Sequence, residues 1–409
     1  MGRIRFLGCD QDAYCASVAR HVVEFEDSSG HQVDIQLIDN DEYFSNQLDS
    51  YLSGENPADV FVSGPVLMWE QLGKGFVEPL DGYLARASED FDVTDFIPAL
   101  LRCNRWDGEF GSPLGAGQLL EIPVNCESYN LAYLPEILER AAVGAPTTWE
   151  EYFEAASAVV QGAAPAHGFG QRGADEWHTI YTGFASQLWS YGGRDFDAAG
   201  RCVIDSPEAL HATRDIVEAL HVSGPPDWLN QRWYELAIDF AHGEYGLIVD
   251  SDHYVAFFEN PEISTVHGHV EYALPPLGPT GQRSANVWTW STVMNAMSRD
   301  KDTAWEFMEW ATGKDFLLQS VFEGNMNPTR SSVWDHPRFH EFSSNWGSFT
   351  AVSRQLAEEV GGVLVTPAVN YIDVARRWTT ALRAAYVAPN FLEVIMSAAA
   401  RDIDRLVTR

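Results

Sequence analysis

The first 65 residues constrain the fold more than any other part of the chain. "RIRFLG" reads as a strand, and "ASVARHVVEFEDSSG" sets Val18, Val22 and Phe25 on one helical face before stopping at Gly30. "HQVDIQLID" alternates Val33, Ile35 and Leu37, and "DEYFSNQLDSYLSG" places Phe44, Leu48 and Tyr51 on a second helical face. "ADVFVSG" is a third, wholly apolar strand, as a sheet covered on both faces requires. Strand, helix, strand, helix, strand predicts a right-handed βαβαβ unit and an α/β fold.

In open sheets of this kind, ligands bind outside the carboxyl ends of the strands. Here those ends are "CDQDAY" (9–14), "DNDEY" (39–43) and "SGP" (63–65). Asp12, Tyr14 and Glu42 are therefore candidate ligand contacts, with helix capping as the alternative role for the two carboxylates.

A chain of 409 residues is too long for one compact core and suits two lobes. A second α/β region follows the first. "TTWEEYFEAASAVVQ" opens with a capping box, Thr148 to Glu151, and "SPEALHATRDIVEAL" has Ser206 as N-cap and Pro207 at the first helical position. "GEYGLIVDSDHY" is an apolar strand running into acidic residues, and "EYALPPLGPTG" reads as an extended crossover. The strand "SANVWTWSTVMN" then puts Trp288 and Trp290 on one face, since alternate strand residues share a side. It leads into the helix "DKDTAWEFMEWATG", and the last hundred or so residues read as mostly helical.

Composition excludes several classes. A net charge of −33 offers no basic stripe to nucleic acid. Only Lys74, Lys301 and Lys314 among the 26 basic residues are lysines, and the acidic surface keeps the chain hydrated. No run of about 18 apolar residues suggests a transmembrane helix. The cysteines at 9, 15, 103, 126 and 202 have no metal-ligand spacing, and the 12 histidines offer no pair on a helical face, so neither metal nor cofactor is expected. The opening "MGRIRFLGCD" lacks a charged n-region and apolar h-region, which leaves a cytosolic protein or one whose targeting segment is not in this sequence.

Two longer blocks resemble a known family. "NRWDGEFGSPLG" with "EIPVNCESYNLAYLPEILERAAVGAPTTWEEYFEAA", and later "YALPPLGPTGQRSANVWTWSTVMNAMSRDKDTAWEFMEWATGKDF" with "GNMNPTRSSVWDHP", resemble the signatures of extracellular solute-binding proteins of bacterial carbohydrate ABC importers. Where that family has a YYN-like segment this chain reads "LAYL", with Asn130 upstream. The resemblance implies a two-lobed, periplasmic-binding-protein-like (type II) fold with an interlobe cleft. The breaker-rich crossovers then assign residues 1–113 and 276–325 to an N-terminal lobe and 121–270 and 328–409 to a C-terminal lobe. Hinge crossovers are expected near 114–120, 271–275 and 326–327.

Three features resemble the branch that binds polyols such as mannitol or sorbitol: "GFGQRGADEW" (168–177), "IVDSD" (248–252) and "NVWTW" (286–290). Carried over, they imply ligand roles for Arg172, Asp250, Trp288 and Trp290. Glu127 and Tyr129 in "NCESYN" and Trp177 as a second aromatic wall complete the candidates. These residue types suit a polyhydroxylated ligand. An indole face packs on C–H groups, carboxylates accept from hydroxyls, and Arg donates in a rigid fork.

The expected function is thus a non-catalytic carrier that closes on a sugar alcohol or small sugar and delivers it to a membrane permease. The implied protein is a periplasmic or extracellular monomer, lipid-anchored or free. A polyamine- or cation-binding protein of the same fold is the alternative, and a two-carboxylate carbohydrate-active enzyme a third.

Overall fold

The computed structural model describes residues 1–45, 47–162 and 167–407. In chain order its main strands are β1 (Arg3–Cys9), β2 (Gln32–Ile38), β3 (Val60–Ser63), β4 (Ile122–Tyr133), β5 (His167–Gly170), β6 (Tyr245–Ser251), β7 (Glu271–Ala273), β8 (Ala285–Met294) and β9 (Gly361–Gly362). The chain forms two compact units. One holds residues 1–127, 288–342 and 367–369, the other 128–287, 343–366 and 370–409. The chain changes unit inside β4 and inside β8, at 127/128 and 287/288, later than the Gly- and Pro-rich crossovers indicated.

The first unit is built on the opening βαβαβ segment. β1 pairs in parallel with β2 and with β3, and β8 joins the far side of β3 in antiparallel register, Ser291 opposite Ser63 and Met294 opposite Val60. Helix α1 (Ala13–Ser29) is capped by Asp12, which accepts from the Cys15 N–H at 2.8 Å, and ends at Gly30 in the left-handed conformation. Its buried stripe is Tyr14, Val18, Val22 and Phe25, with Cys15 and Ser17 beside it. The second helical pattern breaks in two, Asn40–Tyr43 and Leu48–Leu52. Ser45 donates its hydroxyl to the Glu42 carbonyl at 2.7 Å, a local bond that competes with helix continuation.

In the second unit, β4 pairs antiparallel with β6 and with β7, and β6 pairs in parallel with β5. The capping box forms as read: Glu151 N–H donates to Thr148 Oγ1, and Thr148 N–H to the Glu151 carboxylate, both at 3.2 Å. Ser206 caps Pro207–Ser223 through the Ala209 N–H. Two long helices, Tyr371–Val387 and Leu392–Val407, pack on each other. Residues 285 and 286 of β8 belong to this unit and pair with β9. Among the described residues no helix is long and apolar enough to cross a membrane.

Candidate functional site

The first unit carries an aromatic array where β8 enters it. Trp288 and Trp290 project to the same side, and their rings meet edge to face with centroids 5.4 Å apart. Trp290 is half-buried and donates its indole N–H to Glu127 Oε1 at 2.7 Å. Phe44, just after the short Asn40–Tyr43 helix, lies 5.8 Å from Trp290. Trp288 is 5% exposed and rests on the backbone of Gly64, where any Cβ would overlap its indole. The "SGP" strand end thus contributes by lacking a side chain. Phe44 was not among the candidates, because its helical spacing pointed to the core rather than to a ligand surface.

The other residues proposed from the first strand ends have structural partners. Tyr14 is a core residue: it is fully buried, packs edge-on against Phe316 and donates its hydroxyl to the Ala311 carbonyl at 3.1 Å. Asp12 serves as the α1 cap, and Glu42 accepts from the Tyr51 hydroxyl at 2.6 Å.

The second unit carries a polar array at the carboxyl ends of β5 and β6. Arg172, just past β5, donates to Asp250 of β6 through Nη2 at 2.5 Å and Nε at 3.1 Å. Both are buried, at 6% and 1% exposure. Burial presses the guanidinium pKa down, but the Asp250 charge, Tyr254, Tyr129 and the hydrogen bond to Asp250 together more than offset this, and the net shift is strongly upward. Arg172 therefore stays cationic, and its guanidinium also lies 5.6 Å from the centre of the Tyr254 ring. The adjacent glycine matters here: a Cβ at Gly173 would collide with the Trp228 carbonyl and indole, and Trp228 donates its own N–H to the Arg172 carbonyl at 3.1 Å. Trp177 is buried in a short 3₁₀ turn, edge-on to His178, and Tyr129 is buried on β4 opposite Ser251.

Sequence reasoning missed two neighbours of this pair. Asn130 sits directly across from Asp250 in the β4–β6 ladder, and Ser128 lies two residues earlier on the same strand. The available signal is the period-two alternation of "ESYN", in which Ser128 and Asn130 share one face and the candidates Glu127 and Tyr129 the other.

One unit thus carries a cluster of aromatic rings and the other a cluster of buried hydrogen-bonding groups. Residues 16–316 match the model of bacterial extracellular solute-binding proteins. The chain belongs to that family.

This solute-binding protein is 29% identical to an erythritol/L-threitol-binding protein of Mycolicibacterium smegmatis, over 89% of its own length and 77% of the relative's. Its fold matches an ABC transporter solute-binding protein from Agrobacterium radiobacter K84 in complex with ribitol, with a TM-score of 0.87, 17% identity and coverage of 99% and 98% of the two chains. It also matches one from Agrobacterium vitis S4 with bound D-mannitol, with a TM-score of 0.82, 21% identity and coverage of 100% and 99%. The fold is thus that of the two-lobed sugar-binding proteins. Relatives and fold neighbours are solute-binding proteins, so this chain is a transport carrier component rather than an enzyme.

Proposed function

We propose that this solute-binding protein binds a short sugar alcohol outside the cytoplasm and, as a monomer, delivers it to the permease of an ABC importer. The observation that carries this reading is the buried Arg172–Asp250 pair at the strand ends, with Asn130 and Ser128 beside it. A polyol hydroxyl both donates and accepts, so it can bond to Asp250 and Arg172 together. The pair is already neutral as a unit, which suits an uncharged ligand and disfavours a polyamine, whose ammonium groups Arg172 would repel. Trp290 of the first unit, held by Glu127 and partly exposed, is an indole face of the kind that packs on the C–H side of a polyol. The erythritol/L-threitol-binding relative supports a four-carbon ligand.

A thermal-shift panel tests the reading, with erythritol, L-threitol, ribitol, D-mannitol, maltose and spermidine. A ligand present at 100 times its Kd adds about 2.7 kcal/mol of stability, several degrees of melting temperature. The reading requires the shift with at least one of the four polyols. A shift with spermidine alone supports the cation reading instead, and a shift with maltose alone a saccharide carrier.

A further inference from the structure

We propose that Asn130 is a specificity-determining ligand contact, with Ser128 as its neighbour, and that it selects polyols carrying a hydroxyl opposite Asp250. This rests on the polyol reading above. Asn130 and Asp250 face each other across the ladder, so both side chains leave the sheet on one face, and Ser128, two residues away, shares that face.

Asn130 and Ser128 are 1% and 0% exposed, and neither Asn130 Nδ2 nor Ser128 Oγ has a hydrogen-bond partner among the described residues. Buried polar atoms in folded chains are nearly always paired, so two unpaired ones side by side on one face need a reason. Several atoms around them are bonded. Asp250 Oδ1 accepts from Arg172 Nε, from Arg172 Nη2 and from the Ser251 N–H. The Ser128 N–H donates to Asp252 Oδ1 at 2.8 Å. Among the described residues Asp250 Oδ2 receives only Arg172 Nε, at 3.2 Å.

The group that completes this arrangement must accept from the Asn130 amide and donate to Asp250 Oδ2. It must also be uncharged, because Arg172 already balances Asp250. A single alcohol hydroxyl does all of this, and a second on the same ligand can serve Ser128. A ligand lacking the hydroxyl at that carbon leaves the amide N–H buried and unpaired, and this asymmetry is what allows a polar site to reject a deoxy or epimeric competitor. Neither Trp–C–H stacking nor the ion pair alone makes that distinction.

Asn130→Leu and Asn130→Ala separate this role from a structural one. Leu has the heavy-atom branching of Asn and removes the amide; Ala removes it and leaves room, so that bulk cannot be blamed for lost binding. The melting temperature without ligand and the Kd by calorimetry are measured for wild type and both variants with erythritol, L-threitol, ribitol and D-mannitol. The expected result for Asn130→Leu is a melting temperature at or above that of wild type, because among the described residues the amide N–H has no partner to lose. Both variants should bind the polyol that wild type prefers about 10- to 100-fold more weakly, the effect of one buried hydrogen bond left unmade. Wild-type affinity in either variant overturns the proposal while leaving the polyol reading intact. A drop of several degrees for Asn130→Leu with affinity unchanged assigns the amide to the fold and also overturns it. If wild type binds none of the four polyols, the polyol reading fails first and this one with it.

Discussion

Trp290 gives its indole N–H to Glu127 of β4 at 2.7 Å. That bond fixes the plane of a half-exposed ring, whereas Trp288, its edge-on neighbour, is nine-tenths buried against Gly64. The two tryptophans of one strand therefore have different duties.

Truncating them should separate those duties. Trp288→Ala removes a core contact and should cost about 3–5 kcal/mol of stability. Trp290→Ala removes a surface that meets solvent or ligand, and should lower polyol affinity with a smaller loss of melting temperature. Thermal melts without ligand and calorimetry with erythritol decide it. Equal melting losses with wild-type binding in both variants would make the pair a core feature throughout.

The Arg172–Asp250 pair makes a second prediction. Asp250→Ala leaves a buried guanidinium without its counter-charge and should cost about 3–5 kcal/mol. Arg172→Met combined with Asp250→Leu removes both charges, so most of that stability should return while polyol binding does not. Urea midpoints give the first quantity and calorimetry the second. A double variant that binds like wild type would exclude the pair from the site.

Glu121, between the short 118–119 strand and β4, is fully buried, and neither carboxylate oxygen has a partner among the described residues. Burial alone pushes its carboxyl pKa well above the usual range. The folded form then holds a proton that the unfolded chain releases near pH 4. Its contribution is complete below the unfolded pKa and is lost as pH rises toward the folded one, at about 1 kcal/mol per pH unit. Glu121→Gln should remove that slope, and Glu121→Leu should stabilise the protein at pH 8 more than at pH 5. Urea midpoints at the two pH values check this. Identical pH dependence in wild type and Glu121→Gln would mean that the carboxyl is ionised in both states.

Much of the scaffold was legible because its signals are local. The caps at Asp12, Thr148 and Ser206 and the stripe Val18, Val22, Phe25 follow from spacing alone. The same periodicity places Tyr14 one turn before Val18, so its core position was readable, and the strand-end argument overrode it. The break after Tyr43 was harder to see. It depends on the Ser45 hydroxyl reaching a backbone carbonyl, and it brings Phe44 beside Trp290. On β4 the alternation was clear but its phase was not. Apolar and polar residues mix along "VNCESYN", so only pairing with β6 distinguishes Asn130, which meets Asp250, from Tyr129, which meets Ser251. Contacts between segments distant in sequence, such as Arg172 with Asp250 or Trp290 with Glu127, leave no periodic trace within either segment.

The central claim is that this protein binds a short polyol and that Asp250 and Trp290 each contribute to that binding. Titration calorimetry of wild type, Asp250→Asn and Trp290→Ala with erythritol and L-threitol tests it most directly. The account predicts saturable one-to-one binding of at least one of them to wild type, and a loss of about tenfold or more in each variant, since each removes a group proposed to meet ligand. Full wild-type affinity in both variants, or no binding of either polyol to folded wild-type protein, would contradict it.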